Sequence, residues 1–241
     1  MANSKFAQRS YEAELMDDLS LSGEDLRRNL DELAIINYWL GGNQVIISAL
    51  DQLLKKKIIR CGETVRLADL GSGGGDLLRL IARWARKKKV SIQLTGIDAN
   101  DFMLDYSRQK SRNYPEINYI RADVFSEEFI ASDYDLVTCS LFCHHFTDEQ
   151  LVVLFSKLHQ ESQKGFIIND LHRHWFAYYS IRWLTRIFRG SYLVQHDAPL
   201  SVRRAFKKEE LVHLMDKSGT RYYQIRWLWA FRYRVICLKK P

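Results

Sequence analysis

Apolar positions along the chain follow two different periods, and the change falls near residue 60. In the N-terminal region Leu26, Leu30, Leu33, Ile36 and Leu40 recur at helical spacing behind Ser22 and Asp25, a capping-box-like start. Gly41-Gly42-Asn43 ends that helix, and Val45 to Ile59 form a second apolar-faced helix with Lys55 to Lys57 near its end. From Val65 short apolar runs replace the stripes. They predict strands over Val65 to Leu70, Ser91 to Ile97, Ile117 to Arg121, Tyr134 to Ser140 and Gly165 to Asn169. Helices are expected between them, from about Asp76 to Arg86, Asp101 to Arg112 and Asp148 to Gln160. A further helix over Lys207 to Lys217 stops at Gly219, and two strands follow, roughly 221–229 and 231–239. Strands alternating with helices define βαβ units, hence an α/β protein with a mostly parallel sheet and helices on both faces. The last two strands are expected to pair as an antiparallel hairpin at a sheet edge.

Composition narrows the class. The 241 residues are 46% hydrophobic with only three prolines and twelve glycines, which suits a packed core and excludes disordered, collagenous and coiled-coil chains. Charges run through the first twenty residues, so no signal peptide is expected. The longest uncharged stretch, Leu33 to Leu50, is interrupted by Asn37, Gly41, Gly42, Asn43 and Gln44, too polar for a membrane span. Four cysteines without a CxxC pair suggest reduced thiols and a soluble, cytoplasmic protein.

The net charge of +7 is unevenly distributed. Residues 1–40 carry four Lys/Arg against eight Asp/Glu, residues 41–170 carry 17 of each, and residues 171–241 carry 15 against four. A basic C-terminal third suits nucleic acid, an acidic membrane surface or an anionic substrate, and equally a solvated face with no partner.

The strongest chemical signal is Leu67-Ala68-Asp69-Leu70-Gly71-Ser72-Gly73-Gly74-Gly75-Asp76, a glycine-rich turn between a predicted strand and a predicted helix. Glycines there let the backbone turn sharply and approach a ligand. Asp76 occupies the sixth position, where a dinucleotide fingerprint needs glycine, and no Lys-Ser/Thr follows as a P-loop would require. Two carboxylates come next: Asp98 closes the second strand, where it can accept from both ribose hydroxyls of a nucleoside, and Asp123 follows the third, within reach of an adenine amino group.

Asp69-x-Gly71-x-Gly73-x-Gly75, Asp98 and Asp123, in this order, resemble the class I S-adenosylmethionine-dependent methyltransferases over roughly residues 60–241. The resemblance implies a Rossmann-like seven-stranded sheet with an antiparallel last strand and S-adenosylmethionine as cofactor. Gly71, Gly73 and Gly75 would lie against its methionine moiety, Asp98 would hold the ribose, Asp123 would meet the adenine, and Asp69, Val124 and Ser140 would complete the site. On this reading residues 1–60 form a helical cap and 61–241 the methyltransferase domain, with a helical lid inserted at about 173–205.

Absences bear on the methyl acceptor. With prolines only at 115, 199 and 241, the Asn/Asp-Pro-Pro-aromatic motif of amino-methylating nucleic-acid enzymes is missing. Cys139 and Cys143 lack the setting of a cytosine-methylating nucleophile, and Glu149 stands alone where arginine methylation wants two glutamates. A nucleic-acid acceptor is therefore disfavoured. Leu141 to Glu149, with Cys143-His144-His145-Phe146-Thr147-Asp148-Glu149, is similar to the Cys-His-x-Trp-Ser-Asp-Glu segment of plant-type small-molecule O-methyltransferases. There the residue matching His144 is the general base. An imidazole of pKa near 6.5 suits the proton of a phenol near 10. His145 is a second candidate, and a purely structural role for both histidines stays open. A metal set from Cys139, Cys143, His144 and His145 has no zinc-motif spacing, so no metal is expected.

Beyond the fifth strand, Asp170 is placed to orient a histidine, and His172 or Arg173 to touch the acceptor. The next stretch, Trp175 to Val194, reads as one helix with Phe176, Tyr179, Trp183 and Ile187 on one face and Arg182, Arg186 and Arg189 on another. It is either a lid that docks at a membrane surface or a plain cover helix. Glu14-Leu15-Met16-Asp17-Asp18 and Asn169 to Arg173 are similar to bacterial methyltransferases that accompany type III polyketide synthases. The expected reaction is therefore O-methylation of a small hydrophobic, phenolic or polyketide-derived molecule. Carbon methylation of a quinone-like ring and a non-catalytic cofactor- or RNA-binding module are the alternatives. The oligomeric state is left open.

Overall fold

The computed structural model describes residues 5–240, so the first four residues of the expected cap and the last residue of the chain lie outside it. Its strands are β1 (Thr64–Leu70), β2 (Ser91–Asp98), β3 (Ile117–Arg121), β4 (Leu136–Ser140), β5 (Gly165–Leu171), β6 (Tyr222–Leu228) and β7 (Arg232–Leu238). The helices are α1 (Glu24–Trp39), α2 (Gly42–Lys55), α3 (Asp76–Lys88), α4 (Asp101–Lys110), α5 (Asp148–Glu161), α6 (Trp175–Ile187), α7 (Tyr192–Arg204) and α8 (Lys208–Lys217).

The strands form one seven-stranded sheet in the order β3-β2-β1-β4-β5-β7-β6. β1 to β5 run parallel, and β7 is antiparallel to both β5 and β6. The expected antiparallel hairpin is present and closes the β5 edge of the sheet. Its second strand, buried along its whole length, pairs with β5, and the half-exposed β6 forms the outer edge. Successive side chains of a strand point to opposite faces, and both faces here are covered. Leu67, Leu136, Ile167 and Ile236 pack with α2 and α3 residues such as Leu50, Leu53, Leu78 and Ile81. Ala68, Val137, Ile168 and Val235 pack on the other face with Leu154 and Phe155 of α5 and Leu211 and Met215 of α8. Two covered faces explain why the strands read as near-continuous apolar runs.

Two sequence expectations are corrected. The Ser22–Asp25 pair does not cap α1; Gly23, at φ +89°, precedes the helix without a side-chain cap. The single helix expected over Trp175 to Val194 is two helices. The break comes at Arg189, with φ +49°, and Gly190, where a β-carbon would lie 2.5 Å from Val194. The Ser191 hydroxyl then caps α7 by accepting from the Val194 N–H, while its own N–H and hydroxyl donate to Glu32 of α1. Among the described residues, no single helix is long and apolar enough to cross a membrane.

Candidate active site

The C-terminal ends of the parallel strands open into one cavity of about 810 Å³. Open α/β sheets place their crevices there. On its β1 side, Gly71, Gly73 and Gly75 all take positive φ, the conformation glycine tolerates best. The Gly71 and Ser72 N–H groups both donate to the Ile97 carbonyl, which ties the turn to the end of β2. Gly71 and Gly73 line the cavity and Gly75 does not. A β-carbon on Gly75 would strike the Tyr119 hydroxyl at 2.2 Å, so this glycine serves packing behind the turn.

Asp69, Asp76 and Asp98 are carboxyls of that wall. Asp98 is fixed by two backbone donors, Gly73 N–H at 2.9 Å and Asn100 N–H at 3.0 Å. Burial raises its pKa, and those two hydrogen bonds oppose the rise. Asp69 is fully buried and its carboxyl is pushed up to about 8 by desolvation, against a hydrogen bond from the Thr138 hydroxyl at 2.7 Å. Asp123 and Val124 line the cavity after β3, where Asp123 accepts the Phe125 N–H at 2.9 Å. Ser140 lines it at the end of β4 and accepts from Asn169 at 2.8 Å.

Beside that wall, after β4, the turn Cys143–His145 brings His144 and His145 into the cavity lining. Leu141, just before it, holds φ +54°, an uncommon value for a branched residue. His144 is buried, with Nδ1 2.8 Å from Asp170 Oδ1 at the end of β5. The Asp170 carboxyl stays below its ordinary pKa despite full burial, because the charge and hydrogen bond of His144 outweigh desolvation. His145 Nδ1 lies 2.6 Å from Asp17 Oδ1. Arg204 of α7 donates to the other Asp17 oxygen and to the His145 carbonyl.

Glu14 was not among the expected site residues. It is buried in the cavity wall with Oε1 3.6 Å from His144 Nε2, and that oxygen has no hydrogen-bond partner among the described residues. Burial pushes its carboxyl up to about 7, against the charges of His145 and Arg204. Asp197 on α7 fixes this N-terminal segment by accepting the Leu15 and Met16 N–H groups. Only the Glu14 to Asp18 motif signalled the segment in the sequence, and its contact with His144 spans more than half of the chain. Glu14, His144 and His145 bring one ligand atom each within 4.8 Å of one another, a donor set for a metal ion. It is not the set weighed from sequence, because Cys139 and Cys143 are buried in the core beneath α5.

Two expectations about the acceptor are corrected. His172 lies outside the cavity lining, accepts from the Trp227 indole at 3.2 Å, and is lowered to about 4 chiefly by desolvation. Arg173 is fully buried and holds Glu210 together with the Phe6, Ala7 and Ala205 carbonyls, a purely structural clamp.

Residues 67–165 match the family model of a methyltransferase domain. No curated protein sequence matches the chain. Among solved structures, the chain is similar to the CMeT domain of the citrinin polyketide synthase, with 12% identity, TM-score 0.56, and 74% of this chain and 47% of that one covered. It is also similar to an O-methyltransferase family 2 protein from Planctomyces limnophilus in complex with apigenin, at 14% identity and TM-score 0.53, covering 73% and 50%. A third is magnesium protoporphyrin IX methyltransferase from Synechocystis with bound SAH, at 16% identity and TM-score 0.51, covering 82% and 83%. The chain spans about half the length of the first two of these.

The fold is that of the class I S-adenosylmethionine-dependent methyltransferases, and the match to a methyltransferase domain covers residues 67–165, from β1 to the start of β5. The wall formed by the glycine turn has room and free polar groups for a nucleoside-bearing ligand. Gly73 has nothing within 4 Å of where a β-carbon would sit, the Ser72 hydroxyl is buried without a partner, and the Asp98 carboxylate lines the same wall.

Proposed function

We propose that this protein methylates an oxygen of a small hydrophobic acceptor, phenolic or polyketide-derived. The observation that carries the reading is the buried His144–Asp170 pair, on the wall of the cavity that also holds the glycine turn. Bound S-adenosylmethionine supplies an electrophilic methyl group. Gly71, Gly73, Asp98, Asp123, Val124 and Ser140 are the residues assigned to hold it, with Asp69 behind them. With Asp170 accepting the Nδ1 proton, Nε2 of His144 keeps its lone pair and can take the phenol proton as the oxygen attacks. The charge that develops on the imidazole is balanced by Asp170 and by Glu14 Oε1 at 3.6 Å. Apolar walls from α1, α6 and the β6–β7 turn keep water away, so orientation of acceptor oxygen against methyl carbon contributes the larger part of the rate.

The same base serves carbon methylation, in which the proton leaves the acceptor ring, and the similarity to a carbon methyltransferase domain keeps that reading in view. Of the fifteen basic residues of the C-terminal third, Arg173, Arg204, Arg232 and Arg234 are buried and out of reach of RNA, the alternative partner.

Calorimetric titration with S-adenosylhomocysteine, with NADH as control, tests the cofactor site on wild type and Asp98→Ala. Micromolar binding of the former alone, lost in the variant, is expected. Incubation with a panel of phenols and quinones then tests the acceptor, and product NMR separates O-methyl from C-methyl. Binding without turnover on the whole panel overturns the acceptor reading.

A further inference from the structure

Three elements meet at the mouth of the cavity and leave large apolar side chains in solvent. The end of α1 exposes Tyr38 and Trp39, each 77% accessible. Helix α6 exposes Trp183 at 67% and continues into Phe188 at 78%. The β6–β7 turn exposes Trp229 at 72%. This surface is continuous with the cavity. Trp229 and Leu184 line it while remaining exposed, and Ile36 and Leu40, which flank Tyr38 and Trp39 in sequence, line it as well.

Charge surrounds the apolar rim on one side only. On α6, Phe176, Trp183 and Ile187 share a face, and Arg182 and Arg186 flank it, with Arg189 just beyond the helix end. None of these three arginines forms an ion pair among the described residues. No Asp or Glu occurs from Leu171 to His196. A patch of this size is seldom left bare on a monomeric protein, and indole and phenol rings bordered by arginine match the headgroup region of a bilayer.

We infer that this rim is a docking surface for an anionic lipid bilayer, which sets the cavity mouth against the membrane. The inference rests on surface shape and charge, independently of which reaction the cavity carries out. A partner protein would have to offer a matching acidic border around an apolar socket. A second copy of this chain would bring like-charged arginines together.

The test is co-sedimentation of the full chain with phosphatidylcholine vesicles, with and without about a third phosphatidylglycerol. Three arginines near the surface give up to ~100-fold tighter binding to the anionic vesicles, lost in high salt. Replacing Trp183 and Phe188 together by alanine weakens binding to those vesicles about 10-fold or more. Neither residue lines the cavity, so S-adenosylhomocysteine affinity and melting temperature stay unchanged. Arg182→Gln, Arg186→Gln and Arg189→Gln combined bring anionic binding down to the neutral level. Absence of binding to either vesicle overturns the inference, as does equal binding that ignores these substitutions. Light scattering provides the other decisive outcome: a dimer that the Trp183→Ala, Phe188→Ala variant converts to monomer assigns the rim to a second copy.

Discussion

Asp170 holds His144 at two points: its Oδ1 lies 2.8 Å from the ring Nδ1, and its Oδ2 accepts the His144 backbone N–H at 3.1 Å. One carboxylate at the end of β5 thus fixes both the ring and the turn that carries it. General-base catalysis contributes typically ~10²–10⁴-fold, so His144→Ala is expected to lower kcat by that factor. Asp170→Asn keeps the shape but weakens control of the tautomer, and a fall of roughly 10–100-fold in kcat is expected with KM little changed. Steady-state kinetics on a turning-over phenol, beside unaltered S-adenosylhomocysteine titrations, checks both. Unchanged kcat in His144→Ala removes the base assignment.

The glycine turn predicts a graded response. Gly71 has φ +65°, and a β-carbon there would lie 2.2 Å from the Phe142 ring, which itself packs against Phe146 at 4.8 Å. Left-handed strain and overpacking act together, so Gly71→Ala should lose about 2–5 kcal/mol of stability. Gly73 has φ +47° with nothing within 4 Å, so Gly73→Ala carries only the backbone strain, about 1–2 kcal/mol. Its methyl points into the space assigned to the cofactor, so it should lose S-adenosylhomocysteine binding while still folding. Chemical denaturation and calorimetry on both variants separate the two effects.

Much of this was legible in the chain because its signals are local. Strands with two covered faces announce themselves as apolar runs, Gly71 and Gly73 sit on a turn whose positive φ glycine tolerates best, and Asp69 and Asp98 sit near or at the ends of the strands that lead into the site. Legibility fails where distance in sequence is large. Glu14 meets His144 because Asp197, Ser201 and Arg204 of α7 hold the N-terminal segment down, and none of these residues carries a local pattern that says so. Gly75 and Arg173 show the opposite error. A motif glycine and a polar residue beyond a strand end both looked like site residues. Tyr119 and Glu210, which meet them in space, make them structural.

Asp69 predicts a pH dependence of stability. Its carboxyl is raised to about 8 in the folded state, chiefly by burial, whereas an unfolded aspartate titrates near ~3.9. Between these values the folded state keeps a proton that the unfolded state has lost. Stability therefore falls as pH rises through that window, by up to about 1.4 kcal/mol per pH unit for such a group. Glu14, raised to about 7, acts in the same direction. The ligand-free protein is expected to melt at lower temperature at about pH 8 than at about pH 5, and Asp69→Asn to flatten that slope. Thermal denaturation across pH checks it; an equally steep slope in the variant assigns the dependence elsewhere.

Metal ions give a further discriminating experiment, because the base and the donor trio share one nitrogen. His144 Nε2 faces Glu14 Oε1, and Glu14, His144 and His145 bring their ligand atoms within 4.8 Å of one another. Zn²⁺ bound there would need the same Nε2 lone pair that takes the acceptor proton, so added zinc should inhibit. Glu14→Gln removes the only anionic donor of the three and should weaken that inhibition about 10-fold or more. With the imidazole as the base, dialysis against a chelator should leave kcat unchanged. If chelation instead abolishes turnover, and one divalent metal restores it, the proton is lost to a metal-polarised acceptor and His144 acts as a ligand.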